Sequence, residues 1–149
     1  MIRVGFPLAL RAMKNGILLR KLAEMEQTLQ QLRKYVPVSH EQLSADWGLQ
    51  KILERALQIL VEAMIDIGER LLALSGGMPC DTSAAVMLKL KELGVVKDDT
   101  AYASMVRFRN LLVHQYEEID LAIVYGIVTK RLEDFQRFMD EVRAYVETH

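Results

Sequence analysis

The sequence ILLRKLAEMEQTLQQLRKYV, residues 17–36, carries apolar residues at steps of three and four: Ile17, Leu18, Leu22, Met25, Leu29, Leu32 and Val36. This spacing places them along one side of an α-helix. Pro37 disfavours helical backbone in the residue before it, so the helix is expected to end at residue 36. The stretch predicts an amphipathic helix that must bury its apolar side against other helices.

The same periodicity continues beyond Pro37. Ser39 and Gln42 match a capping box, and a long second helix is expected to run from there through Leu71 to the SGGMP stretch at 75–79. Asp81 is expected to cap a short third helix that ends at Leu93-Gly94.

Two more helices are predicted in the last third of the chain. The DDT stretch at 98–100 is expected to cap a fourth helix that continues through Leu112, and Asp120 a fifth that runs to the C terminus. No stretch alternates with a two-residue period. The predicted fold class is therefore all-α, an antiparallel helical bundle of about five helices, two of them long.

Length and composition agree with one helical domain. A chain of 149 residues with 51% hydrophobic residues supports a single core, which we assign to residues 17–149, with residues 1–16 as an N-terminal extension of uncertain order. The single cysteine, Cys80, excludes an internal disulfide, and no repeated Cys or His spacing predicts a metal site. We find neither a signal peptide nor a membrane span, so we expect a cytoplasmic protein.

The stretch RNLLVHQYEEID, residues 109–120, carries the most unusual group of polar residues. On an unbroken helix Arg109 and Tyr116 lie about 20° apart, whereas His114 points about 140° away from Arg109. Because the sequence after His114 is polar and leads to the cap residue Asp120, we expect the fourth helix to end near 113–115. His114 and Tyr116 would then turn towards Arg109.

These side chains suit phosphodiester cleavage by the RNA's own 2′-hydroxyl. Histidine titrates near neutral pH and can move the proton, and arginine can bind phosphate oxygens and stabilise the developing charge. Asn110 or Tyr116 can donate hydrogen bonds beside them. One histidine supplies either an acid or a base, but a two-fold axis would supply both. The net charge of −1 argues against a binder of long duplexes.

The pattern R-x-x-x-x-H-x-Y, formed by Arg109, His114 and Tyr116, resembles the signature of HEPN-domain toxins of the HepT-like family, the partners of MNT nucleotidyltransferase antitoxins. ERALQILVEAMIDIGERLL at 54–72, GVV at 94–96 and VYGIVTKRLEDFQRF at 124–138 are also similar to the family. The resemblance covers about residues 20–146, and MIRVGFPLALRAMKNG at the N terminus is longer than the family leads us to expect.

The resemblance implies a HEPN-like bundle, a homodimer with a shared cleft and a toxin that cleaves RNA as a metal-independent endoribonuclease without a cofactor. It implies Arg109 and His114 as catalytic residues, and a tyrosine, assigned here to Tyr116, to which the cognate antitoxin adds AMP. The alternative function is a non-catalytic HEPN module that binds a nucleotide or the nucleotidyltransferase partner.

Four polar residues of the second helix, Arg55, Glu62, Asp66 and Glu69, fall within about 60° of one another. A solvated helix face is the ordinary explanation of such a stripe. The functional alternative is that Glu62 or Asp66 lines the cleft and orients Arg109 or His114.

Overall fold

A computed structural model describes the backbone of residues 8–110 and 120–149, and the side chains of residues 16–110 and 120–149. Within these ranges the chain forms seven α-helices and no strand, which confirms the all-α class and corrects the predicted number of about five. The helices are α1 (Leu8–Arg33), α2 (His40–Ala45), α3 (Trp47–Leu74), α4 (Ser83–Glu92), α5 (Thr100–Arg107), α6 (Leu121–Lys130) and α7 (Leu132–Thr148).

Helix α1 begins at Leu8, nine residues before the predicted start, and ends at Arg33. The next three amides donate to carbonyls three residues back, among them Tyr35 N to Leu32 O at 3.0 Å. The helix thus tightens in its last turn before the residue that precedes Pro37, where helical backbone is disfavoured. Its predicted apolar side is confirmed, since Leu18, Leu22, Met25, Leu29 and Leu32 are all buried.

The predicted second helix is in fact two helices separated by Asp46. The capping box at its start is confirmed, because Ser39 Oγ accepts from Gln42 N at 3.0 Å and Gln42 Oε1 accepts from Ser39 N at 2.9 Å. Asp46 has extended backbone angles, φ −123° and ψ 95°, and its carboxylate accepts from Leu49 N at 2.9 Å. It therefore ends α2 and caps α3, which at 28 residues is the longest described helix.

Helix α4 is capped one residue later than predicted, whereas α5 begins within the predicted DDT stretch and differs from the prediction at its end. Thr82, not Asp81, caps α4 through Ala85 N at 3.1 Å, and Gly94 takes a positive φ of 81° just after its end, as predicted. At α5 the side chain of Asp98 accepts from Thr100 N at 3.1 Å. Helix α5 ends at Arg107 instead of continuing unbroken through Leu112.

The predicted fifth helix is also interrupted, in this case at Arg131. The cap at its start is confirmed, because Asp120 Oδ1 accepts from Ala122 N at 2.9 Å. At Arg131 the backbone leaves the helical region, with φ −121° and ψ 1°. The two halves have different neighbours: α6 packs against α2 and α3, whereas α7 packs against α1 and α5. The change of neighbours therefore coincides with the break at Arg131.

The long helices pack antiparallel around one core. Lys21, in the middle of α1, lies 2.5 Å from Asp66 in the second half of α3, whereas Tyr35, just after the end of α1, lines a groove together with Ile52, near the start of α3. Glu26 of α1 pairs with Arg143 of α7 at 2.7 Å, and Arg33 at the end of α1 pairs with Glu133 near the start of α7 at 3.2 Å. The order of these contacts requires α1 to run antiparallel to both α3 and α7.

Helices α3 and α4 approach each other closely at Gly68. A Cβ atom added at Gly68 would lie 2.7 Å from Val86 Cγ1 and 3.2 Å from Leu90 Cδ1. These distances are shorter than van der Waals contact, so glycine is needed for the two helices to pack at this spacing.

Candidate active site

Arg109 and Asn110 follow the end of α5, where Phe108 forms a turn between Arg107 and two further helical residues. Phe108 is buried, as are Met105 and Val106 before it, and this anchors the helix end to the core. Arg109 and Asn110 are exposed. The start of the motif is therefore held by packed neighbours while its own polar side chains face solvent.

The other two motif residues, His114 and Tyr116, lie outside the described residues. The expectation that they turn towards Arg109 stays a prediction. So does the predicted end of the helical segment near 113–115.

The two predicted acidic residues of α3 are only partly buried, and each has a partner in the described chain. Glu62 accepts from Gln58 Nε2 at 3.2 Å. Asp66 pairs with Lys21 at 2.5 Å and with Arg70 at 3.4 Å. Arg55 and Glu69 of the same stripe are exposed. Asp66 thus joins α3 to α1 through a partly exposed ion pair, and the role of Glu62 or Asp66 at a cleft stays a prediction.

A buried tyrosine fixes the helix that leads into the motif. The side chain of Tyr102, on α5, is fully buried, and its hydroxyl donates to Glu141 Oε1 on α7. Arg137 Nε, also on α7, donates to the same hydroxyl at 3.0 Å. The second oxygen of Glu141 accepts from Lys97 N at 2.8 Å. These bonds tie α5 and the loop before it to α7.

The electrostatics of Tyr102 follow from this position. Burial, together with the hydrogen bond to the Glu141 carboxylate, raises the pKa of the Tyr102 phenol well above its ordinary value. The phenol is therefore neutral at physiological pH and serves as a hydrogen-bond donor. The guanidinium of Arg137 also lies 5.2 Å from the centroid of the ring, within the range of a cation–π contact.

A pocket of about 250 Å³ opens between α5 and the α6–α7 break, directly beside the start of the motif. Its described lining consists of Ala101, Ser104, Met105, Arg107, Phe108, Ile123, Ile127 and Arg131. Arg107 and Arg131 are exposed, and the lining includes no acidic residue among those that the structure describes. The pocket thus combines an apolar interior with cations.

Asp134, three residues after Arg131, is the one buried charged residue among those described. Its Oδ1 is 3.0 Å from Arg137 Nη2, and its Oδ2 is 3.6 Å from Arg131 Nη1. Oδ2 has no hydrogen-bond partner within residues 16–110 and 120–149. The carboxylate therefore attracts Arg131 without binding it at hydrogen-bond distance.

The sequence patterns did not indicate this pocket or the Tyr102 network. The pocket lining comes from residues 101–108 and 123–131, and the network joins Lys97 to Glu141, so both depend on contacts between distant parts of the chain. The only local signal was the recurrence of arginine at 107, 109 and 131 around an apolar pattern.

The part of the chain that the structure describes contains neither a cluster of metal-ligating side chains nor a membrane-spanning helix. Among residues 8–110 and 120–149, no group of three His, Cys, Asp or Glu side chains is arranged to hold a metal ion. None of the described helices is both long and apolar enough to cross a membrane.

The chain is similar in sequence to known nucleases. The profile of the family described as "Ribonuclease HepT-like" matches residues 25–142. The mRNA nuclease HepT of Shewanella oneidensis is 30% identical over 132 residues, which is 87% of this chain and 98% of that protein. The tRNA nuclease HepT of Aphanizomenon flos-aquae is 25% identical over 122 residues, 80% of this chain and 83% of that protein.

Comparison with solved structures agrees with the sequence matches. The tri-AMPylated HEPN toxin of Shewanella oneidensis, solved in complex with an MNT antitoxin, superposes with a TM-score of 0.76 at 28% identity. The match covers 86% of this chain and 97% of that one.

Proposed function

The chain belongs to the ribonuclease HepT-like family, and on that ground we propose that it is the toxin of a type II toxin–antitoxin pair and cleaves RNA in the cytoplasm as an endoribonuclease. The observation that carries this proposal is the motif that starts at Arg109. Its first two residues are exposed and clear of the core, at the end of a helix that buried side chains hold in place.

The proposed reaction needs no metal. His114 accepts the proton of a ribose 2′-hydroxyl, whose oxygen attacks the adjacent phosphorus, and the bond to the 5′-oxygen breaks. A proton returns to the departing 5′-oxygen, which leaves a 2′,3′-cyclic phosphate and a 5′-hydroxyl. Arg109 donates hydrogen bonds to the non-bridging oxygens and stabilises the phosphorane. We assign Asn110 and Tyr116 a supporting role in binding the phosphate.

The two proton transfers of this reaction require an acid and a base, whereas the motif supplies one histidine per chain. We propose that two copies of the chain form a homodimer with a shared cleft, so that His114 of one copy acts as base and that of the other as acid.

The described surface contains an apolar groove that would suit such an interface. Between α1 and α3 lies a groove of about 550 Å³, and Tyr35, Ile52 and Ile59 in its lining are 43%, 43% and 37% exposed. Exposed apolar side chains grouped in a groove suit a contact with another protein surface. Ile52, Ile59 and Asp66 recur at intervals of seven, within about 40° on α3. An interface along this face would bring Glu62 and Asp66 to the dimer cleft, where we propose that they orient Arg109 or His114.

The enzymatic proposal is tested with His114→Ala and Arg109→Gln, against Arg20→Gln as a matched control on the exposed side of α1. Expression of the wild type and the control in bacteria should arrest growth and fragment RNA, and the two motif variants should do neither. Purified wild type should cut RNA equally well in excess EDTA, leaving cyclic phosphate ends. Equal growth and intact RNA with all four proteins would favour the non-catalytic HEPN module instead.

Mixed dimers test the shared cleft. A heterodimer of wild type and His114→Ala should lose far more than half of the activity, because removal of either the acid or the base slows proton transfer by about a hundredfold or more. Independent sites predict half. A protein that light scattering shows to be monomeric at micromolar concentration, yet cuts RNA at full rate, would refute the shared cleft.

We propose that the cognate partner is an MNT-type nucleotidyltransferase that neutralises the toxin by adding AMP to Tyr116. A bulky anion beside Arg109 would occupy the phosphate site and repel RNA. Incubation with the partner and ATP should add mass in adenylate steps to the peptide spanning 110–130, with loss of toxicity. Equal modification of Tyr116→Phe would assign the acceptor to another residue, and Tyr125 is the better alternative because the Tyr102 hydroxyl is buried.

A further inference from the structure

The pocket between α5 and the α6–α7 break has the features of a nucleotide subsite. At about 250 Å³ it is smaller than the roughly 300–1,000 Å³ typical of sites for drug-sized ligands. A single flat ring system is the kind of group that such a volume accommodates. Phe108 and Ile127 supply aromatic and aliphatic surface for its faces, and the exposed hydroxyl of Ser104 can donate or accept a hydrogen bond at its edge.

The charge of the pocket favours an anionic occupant. Arg107 and Arg131 both line it and are exposed. Arg107 forms no ion pair with any residue that the structure describes, and Arg131 has only the 3.6 Å approach to Asp134. In a chain whose net charge is −1, two such cations in one small pocket suit the phosphates on either side of a nucleotide.

The pocket also lies where the chain of an RNA substrate would pass. Phe108, in its lining, is the neighbour of Arg109 in the motif, and adjacent Cα atoms are about 3.8 Å apart. Arg109 is therefore attached directly beside the pocket wall, and its exposed side chain is available to a phosphate next to the pocket. Asp134 keeps the guanidinium of Arg131 near the pocket while leaving its N–H groups available to a ligand.

We propose that this pocket binds one base of single-stranded RNA next to the scissile phosphate and that Arg107 and Arg131 bind the flanking phosphates. This inference rests on the proposed function, because it takes RNA as the substrate of the same site. It assigns Ser104, Phe108 and Ile127 as the residues that select the nucleotide at the cleavage position.

The test measures binding separately from cleavage. The probe is a fluorescein-labelled single-stranded RNA of roughly eight nucleotides, within the usual range for single-strand sites, with 2′-O-methyl groups throughout so that the 2′-oxygen cannot attack. Anisotropy gives the affinity of the full-length protein for A, C, G and U oligomers over a range of salt concentrations.

Ser104→Trp should fill the pocket, weaken binding by about tenfold or more and change the order of preference among the four oligomers. The matched control is Ser44→Trp on α2, which is also an exposed serine and does not line the pocket, and which should bind as the wild type does. Circular dichroism establishes that both variants are folded.

The pair Arg107→Gln and Arg131→Gln should reduce the slope of log affinity against log salt by about 0.7 for each phosphate that is no longer bound. Arg20→Gln should leave the slope unchanged. These exposed side chains can be shortened without opening the core, so this measurement remains decisive if the tryptophan variant does not fold.

The proposal would be overturned if all the pocket variants bound the probe with the affinity, the order of preference and the salt slope of the wild type. Variants that bind RNA normally but no longer bind the nucleotidyltransferase partner would also overturn it, because the pocket would then belong to a protein interface. Failure of the proposed function has a different signature: the wild type would bind the probe with pocket-dependent preference but leave unmodified RNA uncut.

Discussion

Gly68→Ala tests the close approach of α3 and α4. The new methyl group would lie 2.7 Å from Val86 Cγ1 and 3.2 Å from Leu90 Cδ1, so α3 and α4 would have to separate or Val86 would have to leave its rotamer. Val86 is β-branched and buried, and a side chain of this kind adjusts poorly. Gly126→Ala in α6 is the matched control, because no described atom lies within 4 Å of its added Cβ.

The magnitude follows from two opposing terms. Replacing glycine by alanine inside a helix stabilises by about 0.5–1 kcal/mol in both variants. Overpacking at Gly68 costs about 1–3 kcal/mol. Gly126→Ala should therefore raise the free energy of unfolding by up to about 1 kcal/mol above that of the wild type. The free energy of unfolding of Gly68→Ala should be lower than that of Gly126→Ala by about 1–3 kcal/mol.

Urea unfolding followed by circular dichroism measures both variants against the wild type. The difference between the two variants corresponds to a separation of about 2–12 °C in melting temperature, since each kcal/mol shifts a domain of this size by roughly 2–4 °C. If Gly68→Ala is stabilised as much as Gly126→Ala, the α3–α4 contact is looser than described and the steric argument is refuted.

Three further changes test other parts of the structure. Tyr102→Phe removes the hydrogen bonds to Glu141 and Arg137 and should cost about 1.5–3 kcal/mol in urea unfolding at pH 7. Burial raises the pKa of the Tyr102 phenol in the folded state above its value in the unfolded chain. The neutral phenol therefore contributes fully to stability below about pH 10, and this contribution is lost as the pH rises beyond that value. Above about pH 10 the wild type should lose stability more steeply than the Phe variant. Asp46→Ala removes the cap of α3 and should cost about 1 kcal/mol, whereas an unchanged unfolding midpoint would contradict the capped break. We propose that the domain begins at residue 17, so deletion of residues 1–16 should leave the melting temperature within about 2 °C and the growth arrest intact.

The helix caps show how much of the fold was predictable from the sequence. The Ser39 capping box and the Asp120 cap depend on residues two or three positions apart, and both were predicted correctly. The breaks at Asp46 and Arg131 were missed because the apolar periodicity continues through them. Asp46 carried a local signal, an acidic cap residue before Trp47, but Arg131 did not. On the two sides of the break at Arg131, α6 and α7 pack against different helices, which is a property of the folded chain and not of the local sequence.

The residues of the candidate site also fall into those that the sequence can indicate and those that it cannot. Arg109 and Asn110 are predicted as site residues because the motif is contiguous in sequence; the structure places both side chains at the surface, and their role stays a prediction. The partnership of Asp66 with Lys21 and the pocket around Ser104 could not be predicted, because the residues concerned are brought together only when the helices pack.

The break at Arg131 also affects how the chain can change in length. In a continuous helix, insertion of one residue rotates every following side chain by about 100°. Because α6 and α7 are separate helices, a residue gained or lost beside Arg131 can be absorbed at the break, so that Ile123 and Ile127 before it keep their places in the pocket wall and Phe135 and Phe138 after it keep theirs in the core. The chain can therefore change in length at this point without rotating either apolar face away from its partners.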